Sequence, residues 1–326
     1  MKVGLIGCGR IALEAHLPAY KKYNVEVVAV CDLIKEKAQK AAEEYNIPFF
    51  CTDARELAAR QDVELIDIAT TPVDRISLLR SLYSYNKPLL IQKPLSYNLA
   101  EASMICDELK SNGIKSAINH NARWAPVSKK IDSIIKSKEL GELYQIHHIN
   151  RYNENLAAWY TNIDDYIFLD HGLHYFDLMR LFVGKTPVQV SALHRKIPGQ
   201  KANCPLIYSV NLKYDDDFIA SLYFNNAVPA PHAFDCQWFV DGVDKSIKAT
   251  IDSVSVQSIS GECSPMTRLE GDWVPEGFYG SYKSFVNSIA SDCIPTHSPE
   301  DHLISFKVAY AAAKSANSKG DWIRVE

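Results

Sequence analysis

Three features are missing from this chain of 326 residues, and each absence removes a class of protein. No stretch approaches the ~20 consecutive apolar residues that a membrane-spanning helix needs. The 8 cysteines are scattered and include no Cys-x-x-Cys pair, which argues against a zinc site or a disulfide framework and favours a reducing compartment. Lys and Arg number 35 against 39 Asp and Glu, so no basic field favours nucleic acid or an anionic membrane.

The chain also lacks internal repeats and low-complexity linkers, and its first apolar run is too short for the core of a signal peptide. We therefore expect a cytoplasmic protein. The composition, 47% hydrophobic and 23% charged, is that of an ordinary globular enzyme. The length suits two domains.

The first residues carry a pattern typical of dinucleotide binding. A short apolar run, residues 3–6, leads into Gly7-x-Gly9-x-x-Ala12. The first glycine permits a tight turn, the second lets the backbone approach a pyrophosphate, and the alanine keeps helix and strand close. Phosphates then bind at the helix N-terminus, where Arg10 and Ile11 lie. A second apolar run ends at Asp32, 20 residues beyond Ala12, where a ribose-binding carboxylate is expected.

Strands and helices alternate in the first third of the chain, which predicts an α/β fold with a Rossmann-type, doubly wound parallel sheet. The rhythm then changes to longer strands with polar and apolar residues alternating. This predicts a C-terminal α+β domain with a large open mixed or antiparallel sheet. We place the NAD-binding domain at 1–120 and the substrate-binding and oligomerisation domain at 121–326, with the last helix a candidate to pack back on the first domain. Predicted strands lie at 2–6, 25–31, 48–51, 64–70, 88–92, 115–119, 143–150, 187–196, 206–214, 218–226, 234–241, 245–258 and 322–325, and predicted helices at 10–22, 35–45, 53–60, 73–85, 98–112, 126–138, 170–183, 278–291 and 298–317.

The predicted C-terminal sheet carries aromatic residues, Tyr223, Phe224, Trp238 and Phe239. A wide apolar face of this kind commonly needs a partner, which favours a homodimer or homotetramer built sheet to sheet. The alternative is a monomer whose helices cover both faces.

Two segments follow predicted strands, at the edge where ligands bind in open α/β sheets. Thr70-Thr71-Pro72 is expected to border the cofactor. In Gln92-Lys93-Pro94, a lysine directed beside a nicotinamide can hydrogen-bond a substrate hydroxyl and stabilise the charge that develops as hydride leaves. A surface lysine before a turn proline is the alternative.

A third segment is Asp170-x-x-x-His174-x-x-Asp177. On a helix these positions share a face, so Asp170 and His174 can reach one substrate. Histidine can take a proton at working pH and return it. A helix N-cap and a core histidine are the alternative. We expect no metal, because His171 points elsewhere on a helix and no close third ligand follows.

Together these motifs resemble the glucose–fructose oxidoreductase/inositol dehydrogenase family, often called Gfo/Idh/MocA. The resemblance covers nearly the whole chain and rests on the glycine fingerprint, Thr71-Pro72, Lys93-Pro94, Asn121-Ala-Arg123-Trp124 and the Asp170–Asp177 segment. It implies an N-terminal Rossmann domain that binds NAD or NADP and a C-terminal sheet that carries substrate. By resemblance the catalytic residues are Lys93, Asp170 and His174.

The resemblance and the fingerprint together define two further groups of candidate residues. Cofactor-binding candidates are Gly7, Gly9, Arg10, Ile11, Asp32, Thr70, Thr71, Pro72, Gln92, Lys93 and Asn121. Substrate-binding candidates are Lys93, Asn121, Arg123, Trp124, Tyr152, Trp159, Asp170 and His174, within a wider set of polar and aromatic residues that includes Asn119, His120, Asn153, Asn155 and Tyr160. Arg123 and Arg151 could bind an anionic substituent. The alternative is that many of these residues only line a domain junction.

The chain departs from the family pattern at two positions. Gln92 stands where the family usually has glutamate before the lysine, and Arg75 stands where a histidine often follows the Thr-Pro pair. Asp32 repels a 2′-phosphate and no arginine follows it, so NAD is expected and NADP is less favoured.

These features predict an NAD-dependent oxidoreductase that acts on a hydroxyl or keto carbon of a sugar, sugar derivative or cyclitol. The alternatives are a non-catalytic sensor of NAD and a sugar with the same fold, or a reductase of a non-sugar ring.

Overall fold

A computed structural model describes residues 1–153, 159–230 and 233–326. The chain divides into two compact units. The first contains Met1–Ala125 and Asp272–Leu303, and the second contains Pro126–Gly271 and Ile304–Glu326. The predicted boundary at residue 120 lies close to Ala125, but the segment that returns to the first unit is 272–303 and not the last helix, which begins in the first unit and ends in the second.

The first unit contains a six-stranded parallel sheet in the order β3-β2-β1-β4-β5-β6. The fold class predicted from the sequence is confirmed, because this is a Rossmann-type sheet. Its strands are short, and β1, β4, β5 and β6 are buried along their whole length. The strands are β1 Val3–Ile6, β2 Val27–Cys31, β3 Phe50–Cys51, β4 Leu65–Ile68, β5 Leu89–Gln92 and β6 Ser116–Asn119.

Helices connect these strands, and the sequence explains where several of them begin. Asp53 accepts a hydrogen bond from Arg55 N at the start of α3, and Asn98 does the same for Glu101 N at the start of α5. A π-helical turn, Ala12–His16, precedes α1. The helices are α1 Leu17–Lys22, α2 Lys35–Tyr45, α3 Ala54–Ala59, α4 Arg75–Leu82 and α5 Leu99–Ser111, with short 3-10 turns at Tyr83–Tyr85 and Asn121–Trp124.

The second unit is built on a nine-stranded mixed sheet in the order β14-β13-β12-β11-β7-β10-β9-β8-β15. β7 and β10 are parallel, whereas the other neighbours are antiparallel. Its strands are β7 Leu143–Arg151, β8 Gln189–Arg195, β9 Ile207–Lys213, β10 Ile219–Asn225, β11 Asp235–Gly242, β12 Lys245–Ala249, β13 Ser253–Ser258, β14 Thr267–Arg268 and β15 Ile323–Arg324, and the remaining helices of the chain are α6 Pro126–Lys136, α7 Leu173–Val183, α8 Trp273–Ala290 and α9 Pro299–Asn317.

The predicted aromatic face of this sheet needs correction. Neighbouring residues in a strand point to opposite sides, so the four aromatics divide between two faces. Phe224 and Trp238 are 0% and 3% exposed and pack against Tyr175 and Phe182 of α7. Tyr223 and Phe239 are half-buried on the opposite face.

The single strand predicted at 245–258 is a hairpin. β12 and β13 pair antiparallel, with Ala249 opposite Val254. The Thr250 hydroxyl accepts hydrogen bonds from Asp252 N and Ser253 N, which closes the turn. The prediction failed because threonine is a good strand residue and its side-chain turn leaves no glycine or proline signal.

His148 lies on β7 in the core of the second unit, completely buried between Tyr175 and Trp238. Burial holds the pKa of this imidazole well below its usual value. Below about pH 6.5 His148 therefore binds a proton in the unfolded chain but not in the folded chain. The free energy of unfolding should fall by about 1.4 kcal/mol per pH unit in this range.

We expect His148→Phe to remove this part of the pH dependence while keeping the aromatic stack. Urea unfolding of both proteins at about pH 7.5 and about pH 5.5 measures it, since other titrating groups contribute equally to both. An equal loss of stability in the two proteins would show that His148 does not carry the effect.

Candidate active site

The glycine turn after β1 has the shape that a dinucleotide requires. Gly7 has φ +97°, and a Cβ added there would lie 2.9 Å from Thr70 Cγ2, so no larger residue fits. A Cβ added at Gly9 would meet nothing within 4 Å, which leaves the backbone open to a ligand. Arg10 and Ile11 are exposed beside it. The turn therefore fits a pyrophosphate, as the fingerprint predicts.

Asp32 follows β2 and is tied to the same turn. One carboxylate oxygen accepts a hydrogen bond from Cys8 N at 2.8 Å and the other accepts from Ile34 N at 2.9 Å. Each oxygen keeps a second lone pair, so ribose hydroxyls can still donate to the half-buried carboxylate. Asp32 thus holds the turn and remains suited to the ribose.

Cys8 lies between the two glycines, and it is 1% exposed. Its thiol points to Cys31 O at 3.7 Å, and burial raises the pKa of this thiol to about 12. A neutral, buried thiol is inert, so Cys8 packs the turn onto β2 and takes no part in chemistry.

At the carboxyl edge of β5, Gln92 and Lys93 are buried, with 7% and 8% of their surface exposed. Gln92 is the register partner of Asn119 on β6. Among the described residues, neither Gln92 Oε1 nor Asn119 Oδ1 has a hydrogen-bond partner. Two buried acceptors that lack donors, side by side at this edge, fit the hydroxyl or amide donors of a bound cofactor.

The predicted cofactor loop after β4 lies at the same edge of the sheet. Thr70 is half-buried, Thr71 is exposed and Pro72 is buried. Arg75, noted from the sequence only as a departure from the family pattern, is 0% exposed and donates to Thr70 O at 2.6 Å and Gln92 O at 2.6 Å. A basic residue in the first turn after this loop was the only sequence signal for that contact.

The segment Asn121–Trp124 is anchored within the first unit. The Asn121 side chain accepts from Trp273 Nε1 at 2.6 Å, and Arg123 forms an ion pair with Asp301. Trp124 packs where a Cβ on Gly280 would clash. These contacts pair the Arg123 guanidinium with a carboxylate of its own chain, and its role in binding an anionic substituent stays a prediction.

Two buried histidines join the loops that follow β5 and β6. Leu95 N donates to His302 Nε2 at 3.3 Å, so His302 carries its proton on Nδ1. That nitrogen lies 2.9 Å from His120 Nε2 and donates to it. The pair holds the start of α9 against the chain that follows Lys93.

In the second unit, Asp170 and His174 lie on consecutive helical turns. Asp170 belongs to a π-helical turn, Ile167–His171, that runs into α7, where His174 is half-buried. Asp170 is 6% exposed. Asp177, the third member of the motif, is fully buried and accepts from Ser305 Oγ at 2.7 Å, which gives it a packing role.

His171 is the last residue of the π-helical turn. His171 packs 5.4 Å from the Tyr152 ring, and its Nδ1 is 3.4 Å from Asn226 Nδ2. Asn226 also donates to the Tyr152 hydroxyl at 3.3 Å. His171 and Asn226 are thus polar neighbours of Tyr152 that the sequence did not indicate.

The other predicted substrate residues of this region divide in two. Tyr160 stacks on Tyr166 with ring centres 4.6 Å apart and is 5% exposed. Trp159 begins a short 3-10 turn, and its side chain lies outside the described part of the chain, as does Asn155.

Within the described ranges, no group of three or more His, Cys, Asp or Glu side chains is arranged to hold a metal ion. None of the helices described is both long enough and apolar enough to span a membrane.

The glycine turn, Asp32 and the parallel sheet define an NAD-binding oxidoreductase domain. Residues 1–120 match the family model for the Gfo/Idh/MocA oxidoreductases with an NAD-binding Rossmann fold, and residues 128–248 match the model for the C-terminal domain of that family. The chain belongs to this family, which confirms the resemblance and the NAD cofactor expected from the sequence.

The most similar proteins include named dehydrogenases. An inositol 2-dehydrogenase of Pseudarthrobacter chlorophenolicus is 30% identical over 194 residues, covering 58% of this chain and 57% of that protein. A myo-inositol 2-dehydrogenase of Thermotoga maritima is 23% identical over 334 residues, covering 98% and 97%. Against several curated relatives the match spans little more than half of their length, from 52% to 57%.

A solved oxidoreductase from Agrobacterium radiobacter, in complex with NAD+, L-tartaric acid and magnesium, has the same fold. Its TM-score is 0.89 at 19% identity, and the match covers 100% of this chain and 98% of that one. A solved levoglucosan dehydrogenase with NADH and levoglucosan gives 0.84 at 18% identity, covering 100% and 99%.

Proposed function

We propose that this protein is an NAD-dependent dehydrogenase that transfers hydride between the nicotinamide and a hydroxyl or keto carbon of a sugar, sugar derivative or cyclitol. The observation that carries the proposal is the position of Lys93. It is 8% exposed at the carboxyl edge of an NAD-binding sheet, next to the unsatisfied acceptor of Gln92. This burial argues against the alternative of a surface lysine.

The cofactor, when bound, accepts hydride in the oxidation and donates it in the reduction. Gly7 and Gly9 would hold its pyrophosphate, Asp32 its adenosine ribose, and Gln92 with the Thr70–Pro72 loop would border the nicotinamide half. Lys93 hydrogen-bonds the substrate oxygen and stabilises its developing negative charge.

His174 serves as the base that removes the hydroxyl proton. Asp170, one helical turn earlier, orients the imidazole and stabilises its protonated form. In the reverse reaction the same imidazole returns the proton. Tyr152, with His171 and Asn226 beside it, adds a ring face and amide groups, which suit the C–H faces and hydroxyls of a sugar or cyclitol.

A substrate panel tests the proposal. The purified protein is mixed with NAD+ and pyranosides, uronates, amino sugars or inositols, and the absorbance of reduced nicotinamide is followed. Turnover with one class establishes the dehydrogenase. Tight NAD binding without turnover on sugars or on non-sugar rings would instead support a sensor, and turnover only on the rings would support the alternative reductase.

We also propose that the protein works in the cytoplasm as a homodimer or homotetramer joined through the open face of the C-terminal sheet. Tyr223 and Phe239 lie half-buried on this face, which supports the assembly. All 8 cysteines are free thiols, which supports a reducing compartment such as the cytoplasm. Light scattering should give a mass of two or four chains, and Phe239→Asp should lower it to one. The exposed Lys130→Glu on α6 is the matched control, and a wild-type monomer would refute the assembly.

We expect Asp32→Ser to change the cofactor preference. The substitution removes the carboxylate that accepts ribose hydroxyls and repels a 2′-phosphate, so affinity for NAD+ should fall ~10-fold or more while affinity for NADP+ rises. Calorimetry with both cofactors measures the ratio. An unchanged ratio would show that Asp32 serves only to hold Cys8 N and Ile34 N.

A further inference from the structure

Arg75 is a fully buried cation, and removing its charge from water costs free energy. It is 0% exposed and among the largest fully buried side chains of the described residues. An arginine remains protonated in proteins, so its desolvation must be offset by good contacts. Three backbone carbonyls provide such contacts, and all three belong to the loops at the carboxyl edge of the sheet.

The guanidinium joins two loops that come from neighbouring strands. Its Nη2 donates to Thr70 O at 2.6 Å, after β4. Its Nη1 donates to Gln92 O at 2.6 Å and lies 3.4 Å from Pro94 O, after β5. The residues directly before and after Lys93 are therefore both bound by one side chain, whose planar fork cannot rotate without breaking these bonds.

Thr70 also borders the glycine turn. Thr70, whose carbonyl Arg75 binds, packs its methyl group where a Cβ on Gly7 would clash. Asp74, immediately before Arg75, has φ +52°, so the backbone bends sharply and α4 begins with Arg75 under the loops. Arg75 thus hydrogen-bonds the backbone of the Thr70 loop, whereas the contact with the glycine turn is made by the Thr70 methyl group.

We propose that Arg75 is the positioning residue of Lys93: its guanidinium locks the loops after β4 and β5 together and so sets where the lysine amine meets the nicotinamide half of the cofactor. This inference rests on the proposed role of Lys93. It predicts that Arg75 matters for the nicotinamide half and for turnover, and not for the adenosine half, which binds at Gly9 and Asp32.

A cofactor fragment separates positioning from folding. ADP-ribose lacks the nicotinamide, so Arg75→Met should leave its affinity within about twofold of wild type, because its contacts lie elsewhere. Affinity for NADH should fall ~10-fold, since charge-assisted hydrogen bonds that order the loops are lost. Turnover should fall ~10²-fold from misplacement of Lys93. Equal losses for ADP-ribose and NADH, or no loss for either, would overturn the proposal.

Arg75→Lys tests the fork against the charge. A lysine keeps the positive charge but cannot hold carbonyls of both loops in one plane, so we expect it to behave like Arg75→Met. Wild-type affinity and turnover in Arg75→Lys would contradict the claim that the planar guanidinium must bind both loops at once. Circular dichroism shows whether Arg75→Met folds. If it does not fold, Arg75→Lys takes its place in the binding and turnover measurements. Arg80→Met, on the same helix but in an exposed pair with Glu108, is the control expected to match wild type.

A double-mutant cycle shows whether Arg75 acts through Lys93. In a Lys93→Met background, Arg75→Met should lower turnover by much less than ~10²-fold, because the group it positions is already gone. Fully additive losses would overturn the proposal. If Lys93→Met alone leaves turnover unchanged, the proposed role of Lys93 fails, and with it the claim that Arg75 positions a catalytic group. The NADH and ADP-ribose comparison still reports whether Arg75 orders the loops.

Discussion

Lys93→Met is expected to lower turnover by ~10²–10⁴-fold, the contribution typical of a positioned acid–base group, while NAD+ affinity stays near wild type. Methionine keeps most of the length of the side chain and removes the amine, so most of the buried volume stays filled. Under the proposed roles, the developing alkoxide loses a hydrogen-bond donor, whereas the proposed pyrophosphate and ribose contacts at Gly9 and Asp32 lie elsewhere. Steady-state kinetics on the substrate found in the panel measure kcat and KM, and calorimetry measures the NAD+ dissociation constant.

The control for this experiment is Lys110→Met, an exposed lysine in the last turn of α5. It loses the same charge and should retain full activity. A full rate for Lys93→Met would remove the lysine from the mechanism. A loss confined to NAD+ affinity would make Lys93 a cofactor ligand and leave the substrate oxygen to another donor.

The sheet of the first unit could be predicted because each of its strands is recognisable from its own short stretch of sequence. Leu65–Ile68 and Leu89–Gln92 are buried along their whole length, and such runs have no polar alternation to mislead. The glycine turn could be predicted for the same reason: strand, turn and acid all lie within 32 residues of the start. Local patterns of this kind need no knowledge of the tertiary fold.

Contacts between distant parts of the chain could not be predicted. Asn121 accepts a hydrogen bond from Trp273, and Arg123 is paired with Asp301. No periodicity connects residues so far apart in sequence. The π-helical turn at Ile167–His171 is equally hidden, because a single extra residue in a turn leaves the hydrophobic pattern almost intact.

Arg75 shows the limit most clearly. The sequence places an arginine near a helix start, where it looks like an ordinary surface cation. Only the tertiary structure shows that the guanidinium is fully buried against the carbonyls of two loops. The ligand-binding residues named from the sequence stay predictions, whereas a residue such as Arg75 that holds the loops in place could not be named without the structure.

His174→Asn should be the other severe variant, with turnover reduced by ~10²–10⁴-fold and a changed pH profile. In the oxidation His174 must be neutral to accept a proton, so wild-type kcat/KM should decline as the pH falls. In the reduction His174 must be protonated, and the decline should come as the pH rises. Asparagine cannot carry the proton, so both limbs of the pH profile, the decline at low pH in the oxidation and the decline at high pH in the reduction, should disappear in the variant.

Steady-state kinetics in both directions across the pH range measure the rate and the pH profile of His174→Asn. The variants Asp170→Asn and His194→Asn are measured in parallel. Asp170→Asn keeps the imidazole but loses the charge that stabilises its protonated form, so it should lower the rate less and move the limbs toward lower pH. His194 lies on β8 with its ring centre 6.2 Å from that of Phe168 in the π-helical turn and has no proposed role in proton transfer, so its replacement should alter neither rate nor profile. If His174→Asn kept both limbs, the proton would have to pass through another group, and Lys93 would be the first to test.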